Sequence, residues 1–185
     1  MHSFFDILGG LLYSYVLSFL FATLADSFYW FTDSNLMNGL LAYSACFLLC
    51  LAYPGKERWS SARSDTFLIM GAGAGLMIGM SLKSAYQMHH IGKLVNSFSW
   101  LLILKRSLVG VFSILLVRQI SKIVLHKFIR YIYSLLRPSE TITDIKKVIR
   151  SNFLLDVLFY FVSYSNISFA AVFIAFFVFD YLQFV

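Results

Sequence analysis

An all-α, polytopic membrane helix bundle is the fold class this sequence predicts, and three observations carry the prediction. Hydrophobic residues make up 59% of the 185 and charged residues only 13%, where a soluble chain is roughly a quarter charged. Mean hydropathy is +0.77. Five separate apolar stretches are long enough to weigh as spans of about 17–25 residues. Phe (20) and Tyr (11) are heavily used, as expected where amphipathic rings sit at lipid headgroups. Lipid leaves no partner for unpaired backbone groups, so every span is expected to be a helix.

The stretches follow in order within one membrane domain, 1–185. The first covers about 4–24 and is closed by Asp26; the second, about 36–53, is stopped by Pro54-Gly55. A polar loop, KERWSSARSD, leads to the third at about 66–82. Within it GAGAGLMIG sets Gly71, Gly75 and Gly79 four apart, a small-residue face for close helix contact. As a nucleotide loop it fails, because no lysine follows and no soluble strand precedes it. The fourth stretch, about 100–117, carries Lys105 and Arg106 near its start, where long side chains can snorkel. The fifth, about 153–179, is long enough to tilt.

Between the last two lies a basic amphipathic segment, 118–137. Arg118, Lys122, His126 and Arg130 recur every four residues and so stack on one helical face. Two readings stand side by side: an interfacial helix lying on an anionic lipid surface, or the basic flank of a span. Residues 138–150 are the clearly water-soluble part.

Net charge is +6, and all fifteen Lys and Arg fall between Lys56 and Arg150. No soluble nucleic-acid-binding motif accompanies them, so anionic headgroups are the better partner and no nucleic acid is expected. Cys46 and Cys50 sit in an apolar run and read as small hydrophobes. His89-His90 has no acid or cysteine at ligand spacing, so no metal and no cofactor is expected. Asn166-Ile167-Ser168 is a formal glycosylation sequon inside an apolar stretch, out of reach of the modifying enzyme.

Two places are candidates for chemistry. His2 stands four residues before Asp6, the first acid in an otherwise apolar run. A carboxylate one helical turn along can hold one ring nitrogen and free the other as nucleophile or base. Arg63, in WSSARSDT, suits phosphate through its guanidinium fork. Its alternative is a salt-bridged helix start with Ser64 or Asp65 near the N-cap.

Four stretches, taken together, resemble a known family. M-H-S-x-x-D-x-x-x-G, given by Met1, His2, Ser3, Asp6 and Gly10, looks like the second half of the third signature of the type 2 phosphatidic acid phosphatase superfamily, S-R-x-x-x-x-x-H-x-x-x-D. YPGKERWSSARSDTFLIMGAGAG is similar to the W-S-x-x-R-x-D-T loop and Gly-Ala run of sphingosine-1-phosphate phosphatases. LVGVFSILLVRQISK (108–122) resembles their late I-L-x-V-R-Q span, and FYFVSY (159–164) the start of their last one.

The resemblance implies a lipid-phosphate monoesterase of the endoplasmic reticulum membrane acting on sphingoid base phosphates through a phosphohistidine. His2 is then the nucleophile and Asp6 orients it; Arg63 is the candidate phosphate ligand. The S-R pair, the P-S-G-H motif and the K-x6-R-P motif of the family do not occur in the 185 residues. Arg130 and Arg137-Pro138 imitate the last of these in the wrong place. The expectation is therefore a C-terminal part beginning within the third signature and inactive alone. A lumenal His2 with five crossings also puts 119–150 in the lumen, against the positive-inside tendency. The alternative is a non-enzymatic membrane adaptor or lipid-binding protein; oligomeric state is left open.

Overall fold

The computed structural model describes residues 4–54, 59–86, 100–136 and 144–181, and every regular element among them is helical. In chain order these are α1 (Phe4–Ser34), α2 (Leu36–Leu51), α3 (Ser61–Ala85), α4 (Trp100–Leu136), α5 (Ile145–Ser151), α6 (Phe153–Phe169), a π turn (Ala170–Ile174) and α7 (Ala175–Tyr181).

Three segments are long and apolar enough to cross a membrane: Ser61–Ala85, Ile103–Leu135 and Phe153–Phe179. A fourth arises if the two arms of α1, Ile7–Ala22 and Leu24–Asp33, meeting at 54°, count as one span. That is fewer than the five expected. α2 is not among these spans, since its 16 residues extend about 24 Å at 1.5 Å each, short of a hydrocarbon core of about 30 Å. α1 counts only if its two arms are one span.

Local chemistry explains where the helices start. Asn35 caps α2 by accepting the Met37 N–H at 3.2 Å. The Ser60 hydroxyl accepts the Arg63 N–H at 3.2 Å, so α3 begins at Ser61, earlier than the apolar run suggests. Asp144 caps α5 and Asn152 caps α6 in the same way. The apolar stretch to about 117 and the basic segment 118–137, open to two readings from the sequence, share one helix. No proline interrupts 100–136, and α4 runs through both as one 37-residue helix.

The core is a three-helix seam of α2, α3 and α6. Gly71 and Gly75 press directly on the α6 backbone: a Cβ at Gly71 would lie 2.9 Å from the Phe161 Cα, and one at Gly75 2.8 Å from the Ser165 Cα. Gly79 continues the face onto Val172. Since residues 71, 75 and 79 meet 161, 165 and 172 in rising order, α3 and α6 run parallel. Phe67, Val157 and Phe161 are fully buried beside this contact, with Cys50 of α2. Phe161 meets Tyr43 and Phe47 edge to face at 5.2 and 5.3 Å. In lipid the hydrophobic effect gives helices little reason to associate, so close contact and dispersion must do it.

α4 packs against α6 in the opposite sense. Ser121 pairs with Asn166 at 3.3 Å, His126 stacks on Phe159 at 5.0 Å, and Ile129 buries with Leu155 and Ile149. The C-terminal half of α4, all of α5 and the starts of α3 and α6 therefore gather at one end of the bundle. α1 lies at the margin, most of its apolar side chains exposed.

Replacing Gly75 by Ala is expected to destabilise the folded protein by about 1–3 kcal/mol through overpacking. Gly73, on the same helix with nothing within 4 Å of its Cβ position, is expected to accept Ala with no loss. Thermal unfolding of both variants in detergent micelles checks the difference.

Candidate functional site

The two parts of the predicted chemistry sit differently in the fold. His2 lies outside the described residues. Asp6 falls in the first turns of α1, with its side chain also outside the described set. Arg63 is fully in view and buried, 1% exposed.

Starting α3 at Ser61 places Arg63 in its first turn, facing inward onto α6. Its Nε–H donates to Asp156 Oδ2 at 2.9 Å, and that carboxylate has no exposed surface. A second guanidinium nitrogen, Nη2, donates to the Arg150 carbonyl at 3.3 Å, where α5 is ending. The guanidinium plane also lies 5.6 Å from the Phe153 ring centre. Just outside, Trp59 donates its Nε1–H to Ser64 Oγ at 3.0 Å, and the Arg150 guanidinium covers the Trp59 ring at 4.4 Å. Three elements are thus pinned by one charged pair: the start of α3, the end of α5 and the start of α6.

This geometry answers part of the sequence reading. The α3 N-cap is Ser60, where Ser64 or Asp65 was expected. The acid that balances Arg63 is Asp156, 93 residues away in sequence, while Asp65 is exposed. Helix periodicity explains the choice: Arg63 shares a face with Phe67, Gly71 and Ala74, all buried, and Asp65 points elsewhere. Asp156 carried a readable signal, since a lone acid inside an apolar stretch needs a partner. Asp156 thus takes the Nε–H of the guanidinium and the Arg150 carbonyl takes Nη2.

Among the described residues no cluster of three His, Cys, Asp or Glu side chains comes together to hold a metal. Cys46 and Cys50 are free thiols, the second buried. His89-His90 lies outside the described residues. At the end of the bundle marked by Arg63, α4 and α5 bring Lys122, His126, Lys146 and Arg150 around a cavity of about 230 Å³.

Comparison with known proteins supplies the remaining findings. No family profile matches the chain, and no solved structure does. Over 92% of its length it is 29% identical to sphingosine-1-phosphate phosphatase 2 of Mus musculus and 28% identical to sphingosine-1-phosphate phosphatase 2 of Homo sapiens. The chain spans about half the length of these relatives, 49% and 44% respectively. The chain is thus a distant relative of sphingosine-1-phosphate phosphatases and a helical membrane protein.

Removing one partner of the buried pair is expected to strand the other's charge. Arg63→Ala or Asp156→Ala should each destabilise the protein by roughly 3–5 kcal/mol, while the double variant Arg63→Met with Asp156→Leu should recover most of the loss. Unfolding of all three in micelles separates a pair that holds the helices together from one that does not.

Proposed function

We propose that this chain carries the nucleophile of a lipid phosphate phosphohydrolase in the endoplasmic reticulum membrane, acting on long-chain base phosphates. The observation that supports the reading is the similarity to two sphingosine-1-phosphate phosphatases over 92% of the chain, beside the spacing of His2 and Asp6, which resembles the superfamily's third signature.

In this reading an imidazole nitrogen of His2 attacks phosphorus. The phosphorus–oxygen ester bond breaks, and its electron pair leaves with the alcohol oxygen of the lipid, which takes a proton from a general acid. Water then cleaves the phosphorus–nitrogen bond, releasing inorganic phosphate and the free ring. Asp6 holds the ring in the reactive tautomer and offsets the charge it gains. Phosphoryl transfer depends on positioning and on cations around the phosphate. The P-S-G-H and K-x6-R-P motifs that would give the acid and that clamp do not occur in the 185 residues. In this reading phosphate transfer at His2 also requires a general acid and a cationic clamp that those motifs would provide.

Two measurements test the proposal. The genomic frame upstream of the Met1 codon should encode S-R five residues before His2 and P-S-G-H further back. The protein so completed should release phosphate from a sphingoid base phosphate; His2→Ala should lower kcat by at least roughly a thousandfold, and Asp6→Asn by roughly a hundredfold or more. Phosphate release by the 185 residues alone would overturn the need for the acid and the clamp of those motifs. No release by the completed protein would overturn the assignment itself.

A further inference from the structure

The basic stripe on α4 is more than a charged surface, because α5 folds over it and closes a cavity. Lys122 and His126 come from α4, Lys146 and Arg150 from α5, and Phe159 and Tyr160 from α6, around a space of about 230 Å³. That is room for several water-sized groups, enough for a phosphate and its oxygens. Neither Lys122 nor Lys146 has an ion-pair partner among the described residues. Gathering unpaired cations costs free energy that an anion would recover. His126 adds a second sign of an absent partner. Its ring is fixed flat against Phe159, 8° from parallel, and its buried Nε2 makes no hydrogen bond.

A second cleft of about 140 Å³ continues from the first, sharing Lys122, Phe159 and Tyr160 and running along the α4–α6 seam to Tyr164 and Ile167. Ser163, on its wall, is 9% exposed, and its buried Oγ has no hydrogen-bond partner. Arg118 also lines the second cleft, whose remaining wall is aromatic and aliphatic apart from Lys122 and Ser163. Length places this junction at the membrane boundary. The Ile103–Leu135 span has 33 residues, about 50 Å of helix, against about 30 Å of hydrocarbon. Counting about 20 residues from Ile103 brings the chain out near Lys122, at the level of the headgroups.

We propose that the α4–α5–α6 junction is a binding site for a phosphate anion presented by a membrane lipid. Lys122 and Lys146 hold the phosphate oxygens, His126 Nε2 donates to one of them, and a lipid chain lies along the second cleft past Ser163. Neither His2 nor Asp6 is among the residues that line it.

The test uses the 185-residue protein in nanodiscs of phosphatidylcholine. Titration with dioleoylphosphatidic acid is expected to saturate and to raise the thermal unfolding midpoint. Lys122→Gln with Lys146→Gln should weaken binding at least tenfold, and Lys122→Arg with Lys146→Arg should restore it. Lys127→Gln with Lys147→Gln removes the same charge from the same two helices at exposed positions outside the cavity, and should leave binding within about twofold, as surface charges do. A parallel titration with inorganic phosphate distinguishes the sources. Saturable binding of the lipid alone supports a headgroup site; saturable binding of both that depends on Lys122 and Lys146 supports the shared phosphate chemistry. Equal losses in the two Gln pairs, or no saturable binding of either probe, overturn the proposal. His2→Ala should leave the binding unchanged, so a failed phosphatase assay would not count against it.

Discussion

The close contact of α3 with α6 is the constraint on which the other features depend. Gly71 and Gly75 let two backbones approach to a distance no side chain would permit. That approach fixes the parallel register in which residue 63 faces residue 156. A charged pair with almost no exposed surface is tolerable only because the register is so closely held. The pair in turn reaches the last turn of α5 through the Arg150 carbonyl, and so ties down where the basic residues of α5 come to lie. Packing, electrostatics and the placement of the phosphate-sized cavity form one chain of cause.

Lipid makes this order of causes intelligible. In water, burying Phe67, Phe161 and Val157 would itself bring helices together at about 25 cal/mol per Å². Inside a bilayer those side chains are about as well solvated by acyl chains as by one another. Specificity then rests on surfaces that fit, such as the glycine face, and on polar groups that have nowhere else to go. Tyr43 with Ser165 and Ser121 with Asn166 are further examples. The last of these also gives the Asn166 side chain a partner within the bundle.

Much of the fold was legible in the residues, and the misses have physical reasons. Apolar run length located the helices of α1, α3, α4 and α6, and the four-residue spacing of glycines located the packing face. α2 was located to within two residues, 36–51 against about 36–53, and that small loss leaves it short of a full span. Run length understated α4, since a change from apolar to basic composition does not end a helix that has no breaker. For the site, Arg63 and Asp156 were each readable as a charge needing an answer, yet that they answer one another was not. Asp65 is close in sequence and wrong in phase; Asp156 is distant and right. Local spacing carries the phase of a side chain on its own helix, whereas the identity of its neighbour depends on how two helices meet. The α5 cover over the basic stripe was hidden for the same reason.

The π turn at Ala170–Ile174 has a consequence for the far end of the molecule. There the Ala175 N–H bonds back to the Ala170 carbonyl, five residues earlier, as though one residue had been slipped into an ordinary helix. Residues five apart on a straight α-helix point about 140° away from each other, yet Ala170 and Ala175 are both buried, 0% and 4% exposed. The inserted residue acts as a phase corrector: it rotates everything after it by about a quarter turn, so that the inner edge of the last span stays lined with alanine where a regular helix would have presented the bulk of Phe173 or Ile174.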